Sequence, residues 1–158
     1  MKDTTRRILI DPIANTITNI DVSCVNASEQ IHRIIDCDYC CQVDFGSHVF
    51  LTVDDEGMLY IPRETQLPYN IMQGFFVIHT GDMARKLIAG RGILWAYNAE
   101  GETIDLPDWF QPEEIAEVIK FVPAEQRNVA ADLCQRILTE GETNYAMIVN
   151  QALALCRN

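Results

Sequence analysis

Residues 74–81, GFFVIHTG, constrain the fold more than any other stretch, because four consecutive apolar side chains are bracketed by glycines. The run is too short for a helix with stops at both ends. Its aromatic and β-branched content reads as a strand, and its lack of polar alternation places that strand at the centre of a sheet. The rest of the sheet is sought on either side of it.

Upstream, RRILIDPIANTITNIDV reads as strand, turn, strand, with the break at Pro12–Asn15. Its second strand alternates imperfectly, so a bulge or bend is expected. Asn26 precedes Ala27, Ser28 and Glu29 at the spacing of a capping box, and Ile31, Ile34 and Ile35 form one apolar helix face ending near Asp36. Residues 41–53 read as a strand. The polar tip DDEG at 54–57 then turns it into a partner strand, MLYIP, at 58–62. Downstream of the central strand, Met83–Ala89 reads as two helical turns between glycine stops. A second hairpin runs over Ile93–Tyr97, NAEG and Glu102–Leu106.

After Pro107 the pattern becomes helical. Pro112 suits the first turn of a helix and Glu113, Glu114 and Glu117 suit its N-terminal half. Two more helices follow, to about Thr139 and from about Thr143. The expected fold is α+β: a small, mostly antiparallel sheet with one or two helices, followed by a C-terminal three-helix segment. Residues 1–107 form the sheet domain and 108–158 the helical segment packed on it. A chain of 158 residues buries roughly 70% of its unfolded surface, so it needs no disulfide or metal staple.

The net charge is −11. Residues 1–110 carry 16 acidic and 8 basic side chains and residues 111–158 carry 7 and 4, so the acidity is not a tail. Direct nucleic-acid binding is disfavoured, since phosphate contacts need a basic surface. A protein partner with a basic site is the expected kind. MKDTTRRILIDP lacks the apolar region of a secretory signal, and no apolar run approaches the ~18–20 residues of a membrane span. A cytoplasmic, membrane-free protein with mostly free thiols is expected.

ILIDP, SEQIHRII, FLTVDDEGMLYIP and GFFVIHTGD follow one another as strand ending in proline, short helix, strand with acidic-glycine turn and aliphatic-proline exit, and glycine-led apolar strand. Over residues 6–82 this order resembles a family of small bacterial domains known only as a domain of unknown function and frequent in phage- and plasmid-encoded proteins. The resemblance implies a fold and a mobile-element context, and no active site.

Asp36–Asp44, DCDYCCQVD, holds three of the six cysteines, with His32 before it and His48 after it. A structural zinc site draws four ligands, commonly from two knuckles. Only Cys37-x-x-Cys40 is present here, so no metal is assigned, and Cys37 and Cys41 are expected to pack as small hydrophobes. His79, with Thr80 and Asp82, is the nearest approach to a catalytic cluster, but no nucleophile accompanies it and no catalytic residue is assigned. Arg85, Lys86 and Arg91 lie among Gly81, Gly90 and Gly92, where backbone amides and guanidinium groups could hold an anion. Asp54, Asp55 and Glu56 form an acidic tip, and Trp109 beside Phe110 is either a staple between tail and sheet or an anchor for a partner. Leu153, Leu155 and Cys156 give the last helix apolar positions on more than one side, as a homodimer through the tail would need.

Three readings of function follow. The first is a non-enzymatic accessory protein of mobile-element origin, acting through its acidic surface on a host defence or regulatory partner. The second is a nucleotide- or anion-binding domain built on residues 81–92. The third is a small enzyme with its site near His79 or the cysteines. No cofactor is assigned.

Overall fold

The computed structural model describes residues 3–55, 74–79 and 85–156, with Glu142 placed by its backbone only. Strands β1 (Thr4–Asp11) and β2 (Thr16–Ser23) form an unbroken hairpin, from Thr4 opposite Ser23 to Asp11 opposite Thr16. The expected bulge is absent from it. Asp11 closes the turn by accepting backbone hydrogen bonds from Ile13 (2.9 Å) and Ala14 (3.2 Å) at Oδ1. Helix α1 (Ala27–Ile35) follows. Asn26 precedes it without capping a backbone amide; its Oδ1 accepts from the Gln30 amide instead.

Next come β3 (Cys40–Gly46) and β4 (Val49–Asp54). Residues 41–53 are thus two strands, and the turn falls at Ser47–His48, not at 54–57. Gly46, Ser47 and His48 all have positive φ, the backbone that a two-residue hairpin turn requires. His48 is held there by its carbonyl, which accepts from the Tyr97 amide at 3.1 Å, and by its ring, 5.0 Å from that of Tyr97. The expected partner strand at 58–62 lies outside the described residues.

Strand β5 (Phe75–Ile78) pairs on one side with β6 (Lys86–Ala89) and on the other with β9 (Ile119–Phe121). The described part of the segment expected as a helix, 85–89, is therefore mostly strand. Leu87, Ile88 and Ala89 are apolar without a break, and pairing with β5 satisfies a backbone that a four-residue helix could not. Strands β7 (Gly92–Tyr97) and β8 (Thr103–Ile104) complete the strand set. Helices α2 (Pro112–Val118), α3 (Arg127–Glu140) and α4 (Tyr145–Leu155) end the chain. At the start of α2 the Gln111 amide donates to Glu114 Oε2 at 2.9 Å, the carboxylate half of a capping box. Strand β9 separates α2 from α3, so the tail contributes to a sheet as well as to the helices.

The fold is α+β, and the described sheets are antiparallel. The larger has the order β2-β1-β7-β4-β3, with β8 beside β7; the smaller is β6-β5-β9. Alternation along β5 sorts the core into two parts. Phe76 and Ile78 join Ile8, Ile10, Leu51 and Leu94 between the sheets. Phe75 and Val77 join Ala130, Cys134, Ile148 and Ala152 beneath α3 and α4. Arg6 fixes the passage from the large sheet to α2: its Nη2 donates to the carbonyls of Leu106, Pro107 and Phe110 at 3.0, 2.7 and 2.9 Å. No described helix is long and apolar enough to cross a membrane.

Two substitutions test this layering. Phe76 is fully buried, so Phe76→Ala should cost about 3–5 kcal/mol in chemical denaturation. A Cβ on Gly92 would meet Leu51 Cδ1 at 2.8 Å and Phe76 Cζ at 3.4 Å. Leu51 is itself locked in the core, so Gly92→Ala should cost about 1–3 kcal/mol by overpacking. Wild-type stability in both variants would contradict the arrangement.

Candidate ligand cleft and thiol cluster

Helix α1 packs across the outer face of the large sheet, against β2 and β7. Between the helix and that face lies a cleft of about 250 Å³, lined by Ala27, Ser28, Ile31 and His32 from α1 and by Arg7, Cys40, Gln42, Thr52, Trp95 and Thr103 from the strands. The β1–β7 register sets Ile8 opposite Leu94, which carries Arg7 to Trp95 on the outer face. The Arg7 guanidinium lies 5.9 Å from the Trp95 ring centroid, and its Nε donates to Thr5 Oγ1 at 3.2 Å. The Trp95 Nε1–H donates to Thr52 Oγ1 at 2.8 Å, and that hydroxyl donates to Gln42 Oε1 at 2.5 Å. These wall groups are therefore satisfied by one another.

Arg7 differs from them. It is only 4% exposed, and among the described residues no carboxylate pairs with it. Burial pushes its guanidinium below the ordinary arginine value, with the nearby Cys24 pulling the other way. A cation withdrawn from water without a counter-ion carries a desolvation cost, relieved in part here because the Nη atoms open onto the cleft. Its Nη groups make no hydrogen bond among the described residues, in the wall of a small cleft.

At one end of the same cleft the end of α1 and the start of β3 bring three ligating side chains together. Asp36 adopts φ 63°, and the amides of Asp36 and Cys37 both donate to the His32 carbonyl, at 2.9 and 3.1 Å. This left-handed turn folds Cys37 and Cys40 back beside His32. The sulfurs of Cys37 and Cys40 are 2.8 Å apart, and His32 Nδ1 is 4.0 Å from the first and 3.9 Å from the second. The same nitrogen is 3.1 Å from the Cys37 carbonyl oxygen. Burial raises the pKa of both thiols, and Asp54 raises both further, with Asp38 adding at Cys37 and Asp55 at Cys40. Cys41 is not a member of the cluster. Strand alternation turns it to the opposite face, against the core between the sheets, where it packs as a small hydrophobe. Cys37 does not.

The other residues singled out in the sequence are dispersed. Arg85 is exposed and donates to Asn150 on α4. Arg91 Nε lies 3.1 Å from Asp11 Oδ2, off the line of a hydrogen bond, while its Nη1 donates to the Ile34 carbonyl at 3.2 Å. Lys86 instead lines a pocket with Asp54 and Asp55. The three cations thus share no anion cradle, and Gly92 serves packing. Gly90 has φ 87° and its amide donates to the Gly74 carbonyl. His79 donates its backbone amide to the Val118 carbonyl at 2.6 Å, and its Nδ1 is buried without a partner among the described residues. Glu56, Thr80, Gly81 and Asp82 lie outside the described residues.

The aromatic pair divides. Phe110 joins the core, 6.0 Å edge-on to Phe45, while Trp109 is 64% exposed. Leu153 is buried in the chain's own helical core, with Leu155 and Cys156 packed against it, so these positions have an internal use. Sequence reasoning missed Arg7 and Trp95: alternation puts Arg7 on the strand face opposite Ile8 and Ile10, which reads as solvent-facing until α1 covers it.

No protein-family model matches the chain, no curated protein matches it, and no solved structure matches its fold.

The thiols differ in burial, and this has a measurable consequence. Burial raises Cys134 from 9.0 to about 12. Between those values the unfolded chain loses a proton that the folded chain keeps, so unfolding is favoured as pH rises. Stability should fall from pH 9 towards 12, and Cys134→Ala should flatten that fall in denaturant titrations. A slope unchanged by the substitution would refute the assignment.

Proposed function

We propose that this protein binds a small anionic ligand, of the carboxylate or phosphate class, in the cleft beneath α1. The supporting observation is Arg7: a buried guanidinium with no carboxylate partner among the described residues, set over Trp95 in the cleft wall. A planar cation with free Nη donors suits bidentate capture of an oxyanion. In a medium of low effective dielectric each charge-assisted hydrogen bond is stronger than at the surface. The cleft is smaller than the ~300–1,000 Å³ of sites that enclose a whole drug-sized molecule. It fits a small anion or the acidic end of a longer ligand. The net charge of −11 does not oppose this at close range, because exposed charges are screened over about 8 Å at physiological salt. This reading keeps the expectation of an anion-binding domain and moves its site from residues 81–92 to Arg7.

A second reading keeps the expectation of a protein partner. Trp109 is exposed beside Asp108, with Glu113, Glu114 and Glu117 exposed close along the chain. An exposed aromatic anchor with exposed carboxylates near it along the chain suits the basic site of another protein. This is the surface through which an accessory protein of mobile-element origin would act on a host partner.

For the first reading, inorganic phosphate and succinate, each added in the presence of chelator, should raise the melting temperature. Arg7→Met should remove the effect. Because it also removes a largely buried charge with no carboxylate partner among the described residues, the free variant should melt at or above the wild-type temperature. Equal protection of Arg7→Met, or no protection of the wild type by either anion at millimolar concentration, would sink the proposal. For the second, Trp95→Phe leaves Trp109 as the single tryptophan. A lysine-rich peptide should then shift its fluorescence at low salt and lose the effect at high salt. No shift at low salt would remove that reading.

A further inference from the structure

We propose that His32, Cys37 and Cys40 form a zinc site that ties the end of α1 to the start of β3. This goes beyond the anion reading and does not depend on it. The three ligand atoms all lie within 4.8 Å of one another, brought together from one helix, one loop and one strand. Tetrahedral zinc, with Zn–S about 2.3 Å and Zn–N about 2.0 Å, has sulfur–sulfur and sulfur–nitrogen edges of roughly 3.8 and 3.5 Å. The observed separations are 2.8 Å between the sulfurs and 3.9 and 4.0 Å to Nδ1. Moving the sulfurs apart and the imidazole inward by about 1 Å or less creates the zinc geometry, a change that side-chain torsions can supply. When Nδ1 takes the cation, the ring carries its proton on Nε2 and gives up the contact with the Cys37 carbonyl.

Two thiolates and an imidazole suit zinc, and also copper(I). Charge decides between them. Asp38, Asp54 and Asp55 act electrostatically on the two thiols, and added negative charge near two thiolates favours a dication over a monocation. Three protein ligands leave the fourth position for a water, as in zinc sites that stay open. His32 and Cys40 also line the Arg7 cleft, so an open position would sit at the border of that cleft. Binding exchanges the two thiol protons for the metal, Zn²⁺ plus two thiols giving the dithiolate complex and two protons.

The experiment is native mass spectrometry of the full chain, stripped with chelator under reductant and titrated with zinc alone. One zinc per chain is expected, with affinity read by competition against a chromophoric chelator. Cys37→Ser and Cys40→Ser should each weaken it roughly 100-fold or more, and His32→Ala at least about tenfold. His32→Cys should restore tight binding, whereas Cys24→Ser and Cys41→Ser should leave it unchanged. Zinc should also protect two thiols from alkylation in the wild type. The ligand variants are compared with the wild type in apo form by circular dichroism, so that a folding defect is separated from a lost ligand. Zinc affinity unaltered by Cys37→Ser and Cys40→Ser overturns the proposal. So does an apo mass throughout the titration, selective retention of copper, or a mass lower by two hydrogens that marks a Cys37–Cys40 disulfide under the same reductant.

Discussion

Strand β5 is the joint on which the other layers depend. All four of its residues are buried, Phe76 and Ile78 towards the large sheet and Phe75 and Val77 towards α3 and α4. Each face would be worth little alone: a four-residue strand carries too few hydrogen bonds to stand unsupported. Packed from both sides, it holds β6 and β9 in register, and β9 in turn starts the chain on its path into α3. The ILIDP turn locks the same joint from the edge. Arg127 Nη2 donates to the Pro12 carbonyl at 3.1 Å, Arg91 pairs with Asp11, and a side chain at Gly74 would strike Pro12. Of the basic residues expected around an anion, Arg91 thus serves the chain's own carbonyl and carboxylate, and Arg85 an amide oxygen on α4.

The core between the sheets leaves the outer face of the large sheet with one helical cover among the described residues, helix α1. That helix has nine residues and buries Ile35 while keeping Ile31 and Ile34 only partly covered. It therefore roofs part of the face and leaves an opening along its side. Arg7 occupies the part of β1 where the opening falls. In a closed core this position would be apolar, as Ile8 and Ile10 are on the opposite face. An arginine there is withdrawn from water without a carboxylate partner among the described residues, and the proposed anion site rests on that observation. The left-handed Asp36 is a smaller local cost, since a short polar side chain tolerates that conformation better than most. It lies at the turn that gathers His32, Cys37 and Cys40.

Much of the secondary structure was legible from periodicity and punctuation. The β1–β2 hairpin, α1, the apolar strand at 75–78, the strand pair at 92–104 and the helices after Pro112 all follow patterns that short-range physics sets. The errors have equally physical origins. Ser47–His48 has none of the Asn-Gly signal of its turn type; the conformation is imposed by Gly46 and by the contact with Tyr97. Leu87–Ala89 suits either helix or strand, and only the open edge of β5 decides. The thiol cluster was half visible, because Cys-x-x-Cys is a local spacing. Its third member was hidden by the helix end: His32 precedes Cys37 by five residues, and the distance between their side chains depends on the φ of Asp36.

Cleft and cluster share residues, and this couples them. Strand β3 is an edge of the large sheet, hydrogen-bonded to β4 alone among the described residues. Its free side, like that of β2, lacks a neighbouring strand among the described residues and is one of the places where the sheet can fray. Cys40 and Gln42 on that strand face α1 and form one wall of the cleft, while Arg7 and Trp95 form the other. A cation joining His32 to Cys37 and Cys40 would fix the edge strand to the helix end and so set the width of the opening. An anion held by Arg7 against that wall would favour the same arrangement. Any effect of the metal on anion affinity must then be returned by the anion on metal affinity, by the same factor, since both act on one equilibrium between a frayed and a fixed edge.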